Sequence, residues 1–299
     1  MRYLQLALYH KSENMKVTRT VSELQELVKD LNMRPLGFVP TMGALHKGHI
    51  SLVTNALSEC PLVVVSIYVN PAQFNDKEDL EKYPRPVKKD LALLNKVLKE
   101  KDIVFTPDDK EIYPTEDKRV FNFGNLDNVM EALHRPGHFN GVARVVSRLF
   151  EIVRPDVAYF GMKDFQQLAV IKELVRQNGS RIRIAGNPII RESDGLAMSS
   201  RNTLLEPELR EKASIIYKTI SAASEMLPVR DIPEIRKYVK KAIESSGRFS
   251  VEYFEIADDR ELIPVKKRSD MKNNRRYFGC IAVKAGKIRL IDNIEFPLE

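Results

Sequence analysis

Apolar positions in this chain follow two periodicities that alternate along its first two thirds. After Ser22, Leu24, Leu27, Val28 and Leu31 recur at three- and four-residue spacing, which predicts a helix capped by Ser22 and ending near Leu31. Apolar runs at 36–39 and 62–69 predict strands buried on both faces, with a helix over 49–58 between them. A helix is predicted over 87–101 from Leu91, Leu94 and Leu98, then a short strand at 103–105. A helix at 141–153 and a strand at 157–160 follow. Asp164 then caps a helix running to about Gln177, and a strand at 181–185 is extended at its edge by Ile189 and Ile190.

Strands alternating with helices from about 16 to 190 predict right-handed β–α–β units in an α/β fold, a Rossmann-like doubly wound parallel sheet. The pattern then changes. Glu206-Pro207 opens a helix to about Glu225, and Asp231-Ile232-Pro233 opens a second. Runs at 251–257, 277–284 and 287–291 read as strands, with a hairpin turn at Ala285-Gly286. The expected division is an extension over 1–14, a Rossmann-like domain over 15–190 and a smaller C-terminal α+β domain over 191–299 acting as a lid. Residues 1–14 hold a short apolar patch with no signal-peptide pattern.

The unusual polar motifs all follow predicted strands, at 40–49, 70–74 and 161–167, the edge where such sheets bind ligands. The first, PTMGALHKGH, holds His46 and His49 three apart at a predicted helix start. Free N–H groups and the helix dipole attract anions there, and a histidine can donate to a phosphate. Plain helix capping is the ordinary alternative. In the third, Gly161 allows close approach to the backbone, Lys163 offers a point charge for phosphate and Asp164 can accept from a ribose. At 70–74, Asn70 and Gln73 can fix a small polar substrate, with Gln167 as a further amide. A fourth motif, 191–202, combines Gly195, Ser199, Ser200 and Arg201 into a mobile anion clamp. His134 and His138 lie in a turn-rich loop without a third metal ligand at a recognisable spacing.

Composition narrows the setting. The chain has 299 residues, 43% hydrophobic and 30% charged, and no apolar run approaches the roughly 20 residues of a membrane span. A net charge of +7 suits an anionic substrate and permits, without requiring, a nucleic acid. The basic tract over 266–276 has no aromatic ladder for base stacking. Two cysteines, Cys60 and Cys280, lack metal or redox spacing and point to a reducing, cytoplasmic compartment.

Taken together, PTMGALHKGH at 40–49, VSIYVNPAQF at 65–74, YPR at 83–85, RPGHFNGV at 135–142, AYFGMKDFQQLAVI at 158–171 and DGLAMSSRN at 194–202 resemble the pantoate–β-alanine ligase (pantothenate synthetase) family. The first and last are also similar to the HIGH and KMSKS signatures of nucleotidyltransferases and class I aminoacyl-tRNA synthetases. The resemblance implies ATP-dependent condensation of pantoate with β-alanine through a pantoyl adenylate, with Mg2+ on the phosphates. It also implies a homodimer, with no nucleic-acid or membrane partner. It assigns catalysis to His46, His49 and Lys163. ATP falls to Met42, Gly43, Ala44, Leu45, His46, Lys47, Gly48, His49, Gly161, Met162, Lys163, Asp164, Ile190, Met198, Ser199, Ser200 and Arg201. Pantoate and β-alanine fall to Met42, Gln73 and Gln167.

Carboxylate attack on a phosphate removes no proton, so charge stabilisation is the expected role of His49. The sequence names no base for the β-alanine step. Met162 stands where the family commonly has a polar residue, often glutamate, and Ala132 where a glycine is usual before the RPGHF motif. Two other readings compete. An adenylyl- or cytidylyltransferase would share the first histidine motif without needing Gln73 and Gln167. An RNA-binding module would need a basic groove or an anticodon domain.

Overall fold

The computed structural model describes residues 15–74 and 77–298, so the expectation for 1–14 lies outside the described residues. The first part of the chain runs β1 (Lys16–Thr18), α1 (Val21–Leu31), β2 (Leu36–Thr41), α2 (Lys47–Glu59), β3 (Leu62–Ile67), α3 (Lys77–Lys82), α4 (Val87–Leu94) and β4 (Ile103–Phe105). It continues through α5 (Asp109–Ile112), α6 (Glu131–His134), α7 (His138–Val153), β5 (Val157–Gly161), α8 (Phe165–Gln177) and β6 (Arg183–Asn187). Then come α9 (Pro207–Lys212), α10 (Ile215–Glu225), α11 (Ile232–Glu244), β7 (Phe249–Asp258), β8 (Tyr277–Ala285) and β9 (Ile288–Glu295).

Six strands form one parallel sheet in the order β1-β4-β3-β2-β5-β6. The apolar runs of the central strands β4, β3, β2 and β5 follow from burial on both faces. Leu36, Phe38, Leu62 and Val64 point into a core with Leu24 of α1, Val142 and Val146 of α7 and Leu168 of α8. Val39, Val63 and Val65 point the other way, onto Leu52, Val53 and Ala56 of α2 and Leu94 of α4. From β2 the chain moves outward through β3, and from β5 it moves outward through β6 on the other side. The sheet therefore reverses between β2 and β5, and a crevice opens beyond their carboxyl ends, at Thr41 and Gly161.

The remaining strands form an antiparallel sheet, β7-β8-β9, with α10 and α11 over one face. The expected turn joins β8 to β9, with Ala285 opposite Ile288 and Gly286 at φ 59°. Ala257, Phe278 and Cys280 of this sheet join the core around α7 and α8. The Phe165 and Phe278 rings meet at 4.3 Å.

Several boundaries differ from expectation. Thr20, not Ser22, caps α1, in a reciprocal capping box with Glu23. β1, too short to show a periodicity, pairs with β4. Helix α4 stops at Leu94, where tight turns take over and still bury Leu98. Helix α7 starts three residues early, at His138. Ile189 and Ile190 form no strand, and the helix expected over 207–225 is broken at Ala213-Ser214.

Candidate active site

Beyond Thr41 the chain reverses through two successive residues with positive φ, Gly43 at 79° and Ala44 at 49°. The turn delivers His46 to the N-cap of α2. His46 Nδ1 accepts from the Gly48 N–H at 3.1 Å, and His49 Nδ1 accepts from the His46 N–H at 3.3 Å. The capping alternative is thus realised, and it sets the chemistry of both rings. A neutral imidazole whose Nδ1 is an acceptor carries its proton on Nε2. The two rings lie 4.1 Å apart and face the crevice. Burial, then Lys163, lowers His46 to about 4; burial, then His46 and Lys163, lowers His49 to about 3. At neutral pH the pair is two uncharged Nε2–H donors side by side.

The helix start offers fewer free amides than its sequence implies. Ala44 and Leu45 donate their N–H groups to the Asp90 carboxylate at 2.9 and 2.8 Å, and Gly43 donates to Thr41 Oγ1 at 3.2 Å. Asp90 is 2% exposed. Burial pushes its carboxyl above the ordinary value, and the two amide bonds act against that. The anion-attracting nest is occupied by the protein's own carboxylate.

The crevice holds a cavity of about 220 Å3 and opens to solvent. The structure brings together Met42, His46, Gly48, His49, Gln73, Gly161, Lys163, Asp164, Gln167, Ile190, Met198, Ser199, Ser200 and Arg201 along it. Gly43, Ala44, Leu45, Lys47 and Met162 do not line it. Lys47 is exposed, and Met162 donates its N–H to the Asn187 carbonyl. Asp164 occupies the N-cap position of α8 but makes no capping bond, so its half-exposed carboxylate stays available in the crevice. It is the one carboxylate among the described residues lining that space. Ile190 accepts from the Met198 N–H at 3.0 Å, which ties the two crevice segments together.

Gln73 sits at the apolar inner end, walled by Val142, Val145, Val146 and Leu149 of α7. Asn70, 1% exposed, bonds both the Gln73 side chain and the Gly141 carbonyl. His138 Nδ1 donates to the Gln73 carbonyl at 2.8 Å, and its Nε2 accepts from Arg135 at 3.0 Å. Gly141 permits this packing, because a Cβ there would lie 2.2 Å from the Ala72 carbonyl oxygen. The RPGHFNG loop thus positions Gln73. At the outer end Arg201 pairs with Asp79 at 2.9 Å and lies 5.7 Å from the Tyr83 ring centre, while Tyr83 and Ser200 share a hydroxyl contact at 3.4 Å. Behind the loop, Arg191 grips Asp292 of β9 with two bonds and stacks on Tyr217 at 3.7 Å. Asn293 donates to the carbonyls of Met162 and Lys163.

Asp90, the α7 wall and the His138 bond were not legible as site features. Asp90 follows two lysines on an amphipathic helix and reads as surface. The signal available was an acidic residue one helix past the YPR motif, which nothing in the pattern ties to residues 44–45.

The sequence model of the pantoate-beta-alanine ligase family matches residues 16–295. A pantothenate synthetase of Bacteroides thetaiotaomicron is 47% identical over 284 residues, 94% of this chain and 99% of the relative. One from Porphyromonas gingivalis is 45% identical over 284 residues, again 94% and 99%. The crystal structure of the Thermus thermophilus enzyme aligns at a TM-score of 0.86 and 41% identity, covering 94% of this chain and 99% of that one. A Francisella tularensis pantoate-beta-alanine ligase, complexed with beta-gamma ATP and beta-alanine, aligns at 0.75 and 34% identity over 94% and 98%. The match runs through both sheets and every motif around the crevice, and the chain belongs to the pantoate–β-alanine ligase family.

Proposed function

We propose that the crevice condenses pantoate with β-alanine at the expense of ATP through a pantoyl adenylate, releasing AMP and pyrophosphate. The observation that carries this reading is the pair of neutral, side-by-side Nε2–H donors on His46 and His49, between Lys163 and an amide-ended pocket at Gln73 and Gln167. In the first step a pantoate carboxylate oxygen bonds to the α-phosphorus, and the bond from that phosphorus to the pyrophosphate oxygen breaks. No proton moves. Negative charge shifts onto phosphate oxygens, where His46 and His49 donate hydrogen bonds and Lys163 and Arg201 supply charge. His49 acts as a hydrogen-bond donor, since its ring at about 3 holds no transferable second proton at neutral pH. In the second step the β-alanine nitrogen bonds to the acyl carbon, the bond to the AMP oxygen breaks, and the β-alanine ammonium gives up two protons in becoming the amide N–H, one before attack and one as the amide forms.

Gln73 and Gln167 hold pantoate by its hydroxyl and carboxylate groups. Met198, Ser199, Ser200 and Arg201 close on the triphosphate, Asp164 takes the ribose and the Ile190 backbone meets the adenine. Met42 borders both substrates, and residues 43–45 and 47 shape the site from behind. Mg2+ enters with ATP. Among the described residues no cluster of three His, Cys, Asp or Glu forms a cage for it, and the donor set suits an ion held on the phosphates. When bound, it offsets phosphate charge. Residues 15–190 form the ATP- and pantoate-binding part and 191–299 the lid. The same reading carries a homodimer in the cytoplasm. The buried free thiols of Cys60 and Cys280 accord with a reducing compartment, and no helix among the described residues is long and apolar enough to cross a membrane.

Oxygen tracing tests the adenylate. Pantoate labelled with 18O in its carboxylate should hand one 18O to AMP. Unlabelled AMP with labelled inorganic phosphate would point to an acyl phosphate instead.

A further inference from the structure

We infer that Asp90 is a positioning residue for the first step, an internal carboxylate that folds the turn at residues 43–45 so that both histidines present Nε2–H to the phosphates. This rests on the function proposed above and names a residue that the family motifs leave out.

Five observations converge on Asp90. Its two oxygens are divided between successive amides, Oδ2 to Ala44 and Oδ1 to Leu45. Those amides sit at the turn where a non-glycine residue, Ala44, adopts φ 49°, a conformation alanine rarely takes without an external constraint. The turn leads directly into His46, whose own N–H fixes the His49 ring through Nδ1. Rotation of that N–H away from His49 removes the bond that selects the Nε2–H form. Asp90 also stands in the first turn of α4, where a negative charge is favoured. A side chain at Gly43 would meet its Oδ2 at 3.1 Å, so loop and carboxylate are fitted to each other.

The test is Asp90→Asn, which keeps the shape, removes the charge and leaves one of the two amides opposite an NH2 group. Pantoate-dependent ATP–pyrophosphate exchange isolates the first step. The expected result is a fall in its kcat of about 10- to 100-fold, the scale of a misplaced catalytic group, with the KM for pantoate unchanged. In 15N-histidine spectra of the ligand-free wild type, His46 and His49 should both show protonated Nε2 and bare Nδ1 at pH 7, and Asp90→Asn should mix the two forms. Adding Ala44→Gly, which takes positive φ freely, should restore part of the lost kcat. A variant that only melts earlier and keeps its exchange rate would overturn the inference. So would a wild-type spectrum with either proton on Nδ1, a readout that stands even if Asp90→Asn does not fold. Because the spectra need no substrate, their failure is distinct from a failure of the proposed reaction, which would appear as no pantoate-dependent exchange in the wild type.

Discussion

His49→Ala separates hydrogen-bond donation from proton donation. The substitution removes one Nε2–H donor aimed at the crevice and one Nδ1 acceptor for the His46 N–H. The second loss is small. That bond is 3.3 Å long and only partly buried, so its contribution to stability lies near the lower end of a range of about 0.5–1.5 kcal/mol. The first loss is large in rate, because a preorganised donor to developing charge is worth about 10²–10³ in kcat, or about 2.7–4 kcal/mol. The protein should therefore fold normally and react slowly. The pH dependence carries the sharper distinction. A histidine held at about 3 is cationic in roughly one molecule in ten thousand at pH 7. If the cation were the working form, the first step would speed up about tenfold for each pH unit of acidification. If the neutral ring works, the rate should stay level. The assay is pantoate-dependent ATP–pyrophosphate exchange from pH 5.5 to 8 with wild type and His49→Ala. A level wild-type profile and a variant slower by about 10²–10³ at every pH are expected. A wild-type limb near pH 6.5 that vanishes in the variant would refute the neutral-donor argument, and near-normal turnover by His49→Ala would remove the residue from the mechanism.

Gln73→Ala should raise the pantoate KM by about 10- to 100-fold while the ATP KM holds, and an unchanged pantoate KM in initial-rate measurements would sink that assignment. Gly141→Ala drives a Cβ against the Ala72 carbonyl, so denaturant unfolding should show a loss of about 1–3 kcal/mol together with a weaker pantoate KM; full stability would mean that α7 does not fix the 70–74 turn. His46, His49 and His138 are all lowered when folded, to about 4, 3 and 4, from an ordinary 6.5. Their contribution is therefore complete above pH 6.5 and is lost as pH falls toward about 4, by up to about 1.4 kcal/mol per pH unit for each ring. Guanidinium unfolding at pH 7.5 and 5 reads this directly, and equal stability at both values would contradict the buried, neutral rings.

The alternation of apolar runs and amphipathic helices was enough to read the parallel sheet, because strands such as 62–67 are covered on both faces and are apolar at every position but Ser66. It was also enough to place the motifs at one sheet edge, since each follows a strand, whereas the strand order and its reversal between β2 and β5 emerge only in the structure. Ends of elements were less legible. Leu98 keeps the helical spacing of α4 yet lies in a tight turn beyond it, since burial of its side chain is satisfied by either geometry. The site was legible where a residue type is rare in ordinary turns, as with His46 and His49. It was obscured where an ordinary residue acts through a distant backbone. Asp90 reaches amides 45 and 46 residues away, and His138 reaches a carbonyl 65 residues away; no local pattern encodes either bond. Asp164 read both as a helix cap and as a ribose acceptor, because position alone does not reveal that its carboxylate makes no capping bond and lines the crevice.

The most direct measurement is pyrophosphate release from ATP and Mg2+ with pantoate, with and without β-alanine, with AMP and the acyl product followed in parallel. The expected result is about one equivalent of pyrophosphate released per active site with pantoate alone, the pantoyl adenylate staying bound, and sustained release with stoichiometric AMP and pantothenate once β-alanine is added. Release that ignores pantoate, or that needs β-alanine but yields ADP and phosphate, would contradict adenylate chemistry in this crevice.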